Sequence, residues 1–530
     1  MASQRSLVLV RLLALCILCG ACLAAAKPRY LSARVDELPS SRAARKCPPF
    51  KKSVTASGNK LAVPAMCGIP APPKCCGRGK SARRDFLNRD IHRLSTLLRC
   101  PSGSVPTDAP PSTSPVPWIP MAPAPVAVPG IPMVPGTPMA AMPAAPVPGT
   151  MPISMAPMFP APMPISMPPM AAAPSPFVTI PDRAGADLET LEFVVTVGFG
   201  TPARPSTLIF DTGSDVSWIQ CAPCAAGRCY PQHDPLFDPS KSSSYAAVAC
   251  DSPQCALGGG KCNGTTCVYS VEYGDDSSTS GVLSRETLTL TASRALPGFV
   301  FGCGQSNRGS FGAADGLMGL GRAAASLPSQ AAASFGAVFS YCLPSSNDTT
   351  GYLTIGSKPV SGNAQFTKMI QKAPYPNFYF VDLVSIDIGG FILPVPPTVF
   401  TSTGTLLDSG TIITYLPREA YTALRDRFKF TMKQYKPAPA YDVLDTCYDF
   451  TGQPSIIIPA VTLKFSDGGL FDLDFFGIMV FLEQTALGCL AFAARSPAMP
   501  FSIIGNTQQR STEVIYDVAA EKIGFVPASC

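Results

Sequence analysis

Short apolar runs separated by turn residues dominate the chain from Phe177 onward. The runs are rich in β-branched and aromatic residues, and Gly, Pro, Asn or Asp stands in the gaps between them. This pattern predicts many short β-strands and therefore an all-β body. We expect strands at residues 193–197, 207–210, 268–273, 287–290, 352–355 and 378–388.

Three stretches have the spacing of helices instead. Residues 418–434 and, more briefly, 327–333 predict two helices within the β-rich body. Residues 82–99 repeat apolar side chains at helical spacing with arginines between them. We interpret this third stretch as an amphipathic helix that docks on an acidic surface. A solvated basic helix without a partner is the alternative.

The first 26 residues have the organisation of a secretory signal peptide. A basic residue precedes an apolar run from Leu7 to Ala26 that ends in small residues, which predicts cleavage near Ala24 to Ala26. A membrane anchor is the rival interpretation, but the apolar stretch after Arg11 is short for a bilayer. We expect no membrane association after removal of the signal, and an apoplastic or vacuolar destination. A plastid destination is disfavoured by the few hydroxyl residues in the leader.

Charge and composition divide the rest of the chain. Residues 27–100, the basic arm, hold 17 Lys and Arg against 4 Asp and Glu, whereas residues 179–530 hold 22 against 30. Residues 101–177 are a low-complexity linker of Pro, Met and Ala, which predicts an extended polyproline-like spacer. The opposed charges suggest that the arm binds the body. Nucleic acid is not an expected partner, because no aromatic residues interleave with the basic ones.

The cysteines fit an exported protein. Twelve of the 20 cysteines lie in the body, and an oxidising compartment would allow six disulfides whose connectivity the sequence leaves open. The candidates are Cys221, Cys224, Cys229, Cys250, Cys255, Cys262, Cys267, Cys303, Cys342, Cys447, Cys489 and Cys530. Cys221-Ala-Pro-Cys224 has the spacing of a metal or redox motif, but the body lacks partners for a zinc site. Asn263 and Asn347 begin glycosylation sequons.

Two acidic turns carry the candidate chemistry. Asp211-Thr212-Gly213-Ser214 and Asp408-Ser409-Gly410-Thr411 each follow an apolar run. About a hundred residues after each turn, two apolar residues and a glycine follow, at 317–319 and 503–505. A single Asp-Thr-Gly turn means little, but two in corresponding positions of two halves indicate a pair of related lobes.

Paired carboxylates can activate water without help from another group. Two carboxylates that share a site cannot both ionise easily, so one holds a proton while the other accepts one. The two histidines, His92 and His233, cannot form a three-histidine zinc site, and His233 lies in a predicted surface loop. The chain has no HExxH, GxSxG or P-loop motif. We expect neither a metal nor a cofactor.

These motifs resemble the pepsin-like aspartic peptidases, and within them the plant secreted group that includes nepenthesins. The resemblance covers about residues 178–530, with a weaker likeness of residues 27–100 to plant prosegments. It implies an all-β bilobal fold with two β-barrel-like lobes, residues 178–365 and 366–530, and a cleft between them. It also implies one catalytic aspartate in each lobe, Asp211 and Asp408.

The resemblance assigns roles to the neighbouring residues. Gly213 and Gly410 would bring backbone N–H groups to the carboxylates, and Thr212 and Ser409 would cross-link the two loops. Ser214 and Thr411 would donate hydrogen bonds to the outer carboxylate oxygens. The resemblance also implies that Cys447 pairs with Cys489 and that the seven cysteines from 221 to 267 form a cysteine-rich insertion.

Residues 271–277 resemble the hairpin flap that covers substrate in this family. Tyr273 would be its aromatic lid, close to Trp218, and Gly274 and Asp275 would follow in the turn. Asp276 departs from the family pattern, which has glycine there. An aspartate tolerates positive φ less well than glycine, so we expect altered flap behaviour.

The sequence as a whole predicts a secreted aspartic endopeptidase made as a zymogen and acting as a monomer on polypeptide substrates. The basic arm would serve as an intramolecular inhibitor that acid releases. A non-catalytic inhibitor or binding protein of the same fold is the first alternative, and loss of an aspartate or a triplet glycine would be its signature. A cell-wall protein held by the Pro-rich linker is the second.

Overall fold

The computed structural model describes residues 29–34, 177–225, 227–360, 362–482, 485–497 and 499–530. The predicted signal peptide, the linker up to residue 176 and most of the basic arm, including the predicted helix at 82–99, lie outside the described residues. Within the described ranges, none of the helices combines the length and apolar character needed to cross a membrane.

Strands make up most of the described body. In the first half of the chain they are β1 Tyr30–Arg34, β2 Phe177–Ala184, β3 Phe193–Phe199, β4 Arg204–Asp211, β5 Trp218–Gln220, β6 Ala246–Ala247, β7 Lys261–Asn263, β8 Thr266–Glu272, β9 Ser278–Thr291, β10 Arg294–Arg308, β11 Gly316–Gly319, β12 Val338–Cys342 and β13 Gly351–Gly356. The later strands are β14 Gln365–Lys368, β15 Ile370–Lys372, β16 Tyr375–Val381, β17 Leu383–Ile388, β18 Phe391–Ile392, β19 Thr405–Leu407, β20 Thr414–Leu416, β21 Lys436–Ala438, β22 Cys447–Asp449, β23 Ser455–Pro459, β24 Val461–Phe465, β25 Leu470–Asp472, β26 Met479–Phe481, β27 Leu487–Leu490, β28 Phe492–Ala494, β29 Ser502–Ile504, β30 Thr512–Asp517 and β31 Lys522–Pro527.

The described helices are few and short. They are α1 Pro253–Leu257, α2 Leu327–Phe335, α3 Pro397–Thr401, α4 Arg418–Thr431 and α5 Phe475–Ile478. Helix α2 begins where the Ser326 hydroxyl accepts the Ser329 N–H, and it ends at Gly336, whose φ of 83° is unfavourable for other residues. Both helices predicted in the body are therefore confirmed.

The hydrophobic spacing along the chain accounts for the buried face of helix α4, and the proline that follows accounts for its end. Ala420, Tyr421, Leu424 and Phe428 are its buried residues and lie on one face, as the helical spacing predicts. The prediction of a helix to residue 434 was three residues too long. Pro437 lies in the strand that follows, and a proline disfavours helical backbone just before it.

The six predicted strand regions are confirmed as strands or parts of strands. The run at 378–388 is two strands, β16 and β17, separated at Asp382. A 15-stranded sheet contains most of the first-half strands together with β14, β30 and β31 from the later part of the chain. Its consecutive strands β14, β31, β30, β12, β13 and β2 thus join the two halves of the body. Smaller sheets of six, four and four strands contain the other strands of the second half except β23, which pairs with β1 in a two-stranded sheet.

The described body cysteines form six disulfides, and these fix the connectivity that the sequence left open. Cys447 pairs with Cys489, which confirms the pairing implied by the resemblance. Cys342 holds the C-terminal Cys530 against β12 across a sequence separation of 188. The remaining pairs are Cys221–Cys303, Cys224–Cys229, Cys250–Cys262 and Cys255–Cys267. Asn263 and Asn347, which begin the sequons, are both exposed.

Candidate active site

The two acidic turns leave the ends of two corresponding strands. Asp211 is the last residue of β4, and Asp408 follows the last residue of β19. Strand β11 runs parallel to β4, and β29 runs parallel to β19, so each turn rests on an apolar strand. Backbone bonds complete each support, from Leu320 N–H to the Asp211 carbonyl at 2.8 Å and from Asp408 N–H to the Ile504 carbonyl at 3.1 Å. The two apolar repeats seen in the sequence therefore lie beneath the two turns.

Thr212 and Ser409 join the two turns to each other. The Thr212 N–H donates to Ser409 Oγ at 3.0 Å, and the Ser409 N–H donates to Thr212 Oγ1 at 2.9 Å. Each hydroxyl also reaches the opposite strand end, at the carbonyls of Leu407 and Phe210. The reciprocal bonds lock the distance between the turns, because both hydroxyls are buried and fully used.

The carboxyl groups of Asp211 and Asp408 are buried and hydrogen-bonded to their own turns. Gly213 N–H donates to Asp211 Oδ1 at 2.9 Å, and Gly410 N–H donates to Asp408 Oδ1 at 2.9 Å. The Thr411 hydroxyl donates to Asp408 Oδ2 at 2.5 Å. Gly213 lies against the opposite aspartate: a Cβ atom added there would stand 2.8 Å from Asp408 Oδ1. The structure therefore brings the two predicted aspartates into one site.

Ser214 does not take the predicted position. Its Oγ is buried and has no hydrogen-bond partner among the described residues, so it does not match the bond that Thr411 makes to Asp408. The Ser214 carbonyl accepts the Gly321 N–H at 2.8 Å. The expected symmetry of the two turns is wrong at this hydroxyl.

Asp215 is a member of the site that the sequence did not reveal. Its carboxyl accepts the Ala323 N–H at 2.8 Å and the Asn377 side-chain amide at 3.2 Å, which ties the first turn to residues after β15. Burial raises the pKa of Asp215 to about 6, and the nearby Asp211 charge adds to the increase. An acidic residue directly after Asp-Thr-Gly-Ser was the available signal, but nothing in the sequence pointed to Asn377.

A second unpredicted group supports the turns from residues 506–509, which lie between β29 and β30, and from the 15-stranded sheet. Gln509 donates through Nε2 to the Asp408 carbonyl at 3.2 Å and accepts a short hydrogen bond from the Tyr341 hydroxyl. The Tyr341 and Tyr516 hydroxyls lie 2.9 Å apart. Asn506 donates to the Ser409 carbonyl at 3.1 Å. These polar side chains lie next to the apolar repeats, in a region where the hydrophobic pattern predicts only core residues.

Strands β8 and β9 form a hairpin at the residues predicted to be the flap. Tyr273 N–H donates to the Ser277 carbonyl at 2.8 Å, and the Asp275 carboxyl accepts the Ser277 N–H and hydroxyl. Trp218 Nε1 donates to the Tyr273 hydroxyl at 2.7 Å, which confirms that these two aromatic residues meet. Both rings also pack against Phe311, which the sequence did not single out.

Asp276 has a positive φ, the backbone conformation that favours glycine and that the sequence predicted at this position. Its φ is 62°, in the left-handed region, which costs an ordinary residue about 1 kcal/mol. We therefore expect Asp276→Gly to raise the cleavage rate, by about fivefold at most, or to broaden the range of cleaved sequences. Peptide cleavage kinetics on a substrate library would measure both.

A matched control exists for this prediction. Asp442 has φ 54° in a turn of the second half, so Asp442→Gly relieves the same kind of strain away from the flap. We expect the control to change thermal stability but not cleavage. An unchanged kinetic profile for Asp276→Gly would count against a role of this residue in flap behaviour.

A carboxyl pair lies at the start of the support strand β11. Asp315 accepts the Thr207 N–H at 2.8 Å and the Asp234 N–H at 3.2 Å, while the Asp234 carboxyl accepts the Thr207 hydroxyl at 2.8 Å. His233, which the sequence placed in a surface loop, is exposed and lies 3.3 Å from the other Asp234 oxygen. Burial raises the pKa of Asp315 to about 7, and repulsion from Asp234 adds to the increase.

This pair predicts lower stability at neutral pH than in acid. Because the pKa of folded Asp315 lies above its ordinary value of 3.8, its stabilising contribution is complete below pH 3.8 and is lost as the pH rises through about 7. Asp234→Asn removes the repelling charge and should lower that pKa. We expect the loss of unfolding free energy between acid and neutral pH to become smaller in this variant.

Chemical denaturation at a series of pH values would measure that difference. Asp251→Asn, at an exposed acid of the same cysteine-rich region, is the control and should leave the pH dependence unchanged. A pH profile of Asp234→Asn that coincides with the unmodified profile would contradict the assignment.

Comparison with known proteins agrees with the geometry. The family described as "Xylanase inhibitor N-terminal" matches residues 193–357, and "Xylanase inhibitor C-terminal" matches residues 378–527. Aspartyl protease AED1 of Arabidopsis thaliana is 42% identical over 352 residues, which are 66% of this chain and 75% of that protein. Aspartic proteinase nepenthesin-1 of Nepenthes gracilis is 36% identical over 353 residues, 64% of this chain and 78% of that protein.

Solved structures agree on the fold. The basic 7S globulin from soybean matches with a TM-score of 0.54 and 21% identity, over 66% of this chain and 96% of its own. Two lobes that each contribute an aspartate turn to one site define a pepsin-like protein. The chain belongs to the pepsin-like plant aspartic protease family.

Proposed function

We propose that this protein is a catalytic aspartic endopeptidase with Asp211 and Asp408 as its catalytic pair. The observation that carries the proposal is the closeness of Gly213 to the Asp408 carboxyl, where an added Cβ would stand 2.8 Å from Oδ1, across turns joined by reciprocal hydrogen bonds. A water molecule held by the two carboxyl groups loses a proton to one of them as it attacks the peptide carbonyl. The other carboxyl donates its proton to the carbonyl oxygen.

The walls next to this pair suit a polypeptide substrate. Ile412 follows Thr411, whose hydroxyl donates to Asp408, and it lines a pocket that is open to solvent. Leu191, Met479 and Phe481 provide apolar wall, and Arg510 provides a cation. Apolar side chains of an extended substrate fit such a lining, and the flap with Tyr273 would exclude water above them.

Complete turns favour catalysis over the non-catalytic alternative. That alternative has support in the matching families, whose descriptions name a xylanase inhibitor. An inhibitor or binding protein needs no carboxyl pair, no reciprocal hydroxyl bonds and no glycine at the point of closest approach. All three are present here.

The precursor state and the compartment complete the proposal. The basic arm would cover an acidic body at neutral pH, and protonation of carboxylates would weaken that attraction and permit cleavage before Phe177. Six disulfides in the described body suit an oxidising environment, the apoplast or the vacuole. The arm would act as an intramolecular partner of a monomer.

The test is an activity assay on the purified full chain. At about pH 4, where carboxyl groups titrate, we expect cleavage of a denatured protein substrate and its inhibition by pepstatin. N-terminal sequencing of the acid-treated protein should reveal a new terminus near Phe177. If the protein cleaves no substrate at any pH from acid to neutral, the catalytic proposal is rejected, whether or not the protein binds pepstatin.

A further inference from the structure

The first described segment of the chain is a strand of the second half of the body. Strand β1 pairs antiparallel with β23, from Tyr30 opposite Pro459 to Arg34 opposite Ser455. Ala33 is buried in the main core and Leu31 packs against that core, whereas Tyr30, Ser32 and Arg34 are exposed. This strict alternation is that of a strand with one face on the core.

Contacts just before β1 fix its register. Arg29 accepts the Ala460 N–H on its carbonyl at 3.0 Å and donates its own N–H to the Gly389 carbonyl at 3.3 Å. Its guanidinium reaches Thr462 Oγ1 at 3.4 Å and Asp472 Oδ1 at 3.3 Å. The ion pair is exposed and contributes little, so backbone pairing and the Ala33 contact hold the strand.

Strand β23 depends on β1 for its pairing. Among the described strands these two form a sheet of their own. Ile456 and Ile458 of β23 are fully buried in the core, and the intervening Ile457 N–H donates to the Tyr435 hydroxyl at 2.7 Å instead of to a strand. Without β1, the edge of β23 that now pairs with β1 would expose unpaired backbone groups.

The attachment of β1 is independent of the covalent path to the body. Residues 35–176 connect β1, on the second half, to β2, which is the first strand of the body and lies in the joining sheet. A break anywhere in that path leaves the described contacts of β1 with the body intact. The predicted signal cleavage near residues 24–26 would also leave β1 in place, because the strand begins at Tyr30.

We propose that the β23 edge is a docking site for the chain's own segment 29–34, and that this segment stays bound after the path to Phe177 is cut. The mature protease is then two polypeptides held together without a covalent link, with β1 as a permanent strand of the body. This inference rests on the proposed function in one respect: the proposed activity is what would cut the path in the natural protein. It changes what a prosegment does here, because cleavage shortens the connection without releasing the segment.

The test separates the docking from the catalytic proposal by using an inactive chain and an external cut. The full chain carrying Asp211→Asn receives the recognition sequence of an unrelated protease within residues 101–174. After cutting at neutral pH, native mass spectrometry should show both fragments in one complex at a one-to-one ratio. A non-reducing denaturing gel should separate them, because the twelve body cysteines are paired with one another.

Two proline variants form a matched pair. Since the Arg29 carbonyl faces Ala460, alternation directs the N–H groups of Leu31 and Ala33 to β23 and that of Ser32 away from it. Ala33→Pro therefore removes a pairing N–H, whereas Ser32→Pro leaves the pairing groups intact. We expect Ala33→Pro to increase fragment dissociation by at least about tenfold and Ser32→Pro to change it little. Release of the segment from the unmodified cut complex, or equal behaviour of the two variants, overturns the proposal.

A peptide experiment keeps the test decisive if the Ala33→Pro chain does not fold. Mild denaturant first displaces the original segment from the cut complex, a labelled peptide of residues 27–36 is then added in excess, and its binding to the body is followed by fluorescence anisotropy after the denaturant is removed. The unmodified and Ser32→Pro peptides should bind, and the Ala33→Pro peptide should not. Failure of the unmodified peptide to bind, even after the original segment is displaced in mild denaturant, rejects the docking site.

Discussion

Asp211→Asn and Asp408→Asn are each expected to lower the rate of peptide-bond hydrolysis by at least about a thousandfold, because each removes one half of the proton exchange at the attacking water. Asparagine keeps the size of the side chain and can still accept the N–H of Gly213 or Gly410. The fold should therefore survive, and thermal unfolding should show intact protein. The measurement is kcat and KM for a peptide substrate at acid pH.

The control for this prediction is Asp426→Asn. Asp426 is a solvent-exposed acid on α4, and its side chain is 61% exposed. The variant has the same chemical change and should retain full activity. Residual activity near the unmodified level in either Asp211→Asn or Asp408→Asn would show that the pair is not catalytic and would favour the binding-protein alternative.

The parts of this site that sequence could predict are those that repeat or alternate. The two acidic turns and their apolar-apolar-Gly supports stand in the same order in both halves, and strand alternation places those supports beneath the turns. The reciprocal bonds of Thr212 and Ser409 follow once the two turns face each other. These features depend on local order along the chain, which a sequence displays directly.

The parts that escaped prediction depend on contacts between distant residues. Asn377 binds Asp215 across 162 positions, and Gln509 reaches the Asp408 carbonyl across 101. Neither lies in a motif, because a polar side chain in an apolar context has many possible partners. The Ser214 hydroxyl shows the converse, because the motif implied a bond to the carboxyl that this hydroxyl does not make.

The same reasoning applies to β1. Its alternation is only five residues long, within an arm whose composition indicates charge rather than strand. Its partner β23 lies more than 400 positions away, as the pairing of Tyr30 with Pro459 shows. Only a folded structure could show that the basic arm begins with a strand of the body.

Gly213→Ala is expected to lower kcat by about a hundredfold or more while the protein stays folded. The added Cβ would stand 2.8 Å from Oδ1, 3.0 Å from Cγ and 3.1 Å from Oδ2 of Asp408. Contacts this short force the carboxyl to move, yet Gly410 N–H and the Thr411 hydroxyl hold it in place. A displacement of a fraction of an ångström at a reacting group costs about this much in rate.

The glycine is required for close approach and not for backbone conformation, because the φ of Gly213 is not positive. Gly362→Ala is the matched control, since a Cβ there would meet nothing within 4 Å. Overpacking at Gly213 should cost about 1–3 kcal/mol of stability, which a six-disulfide body can absorb. Kinetics normalised to folded protein separate the two effects: kcat should fall in Gly213→Ala and stay constant in Gly362→Ala. If the two variants turn over substrate equally, the carboxyl groups do not meet at Gly213, and the shared-proton mechanism loses its geometric basis.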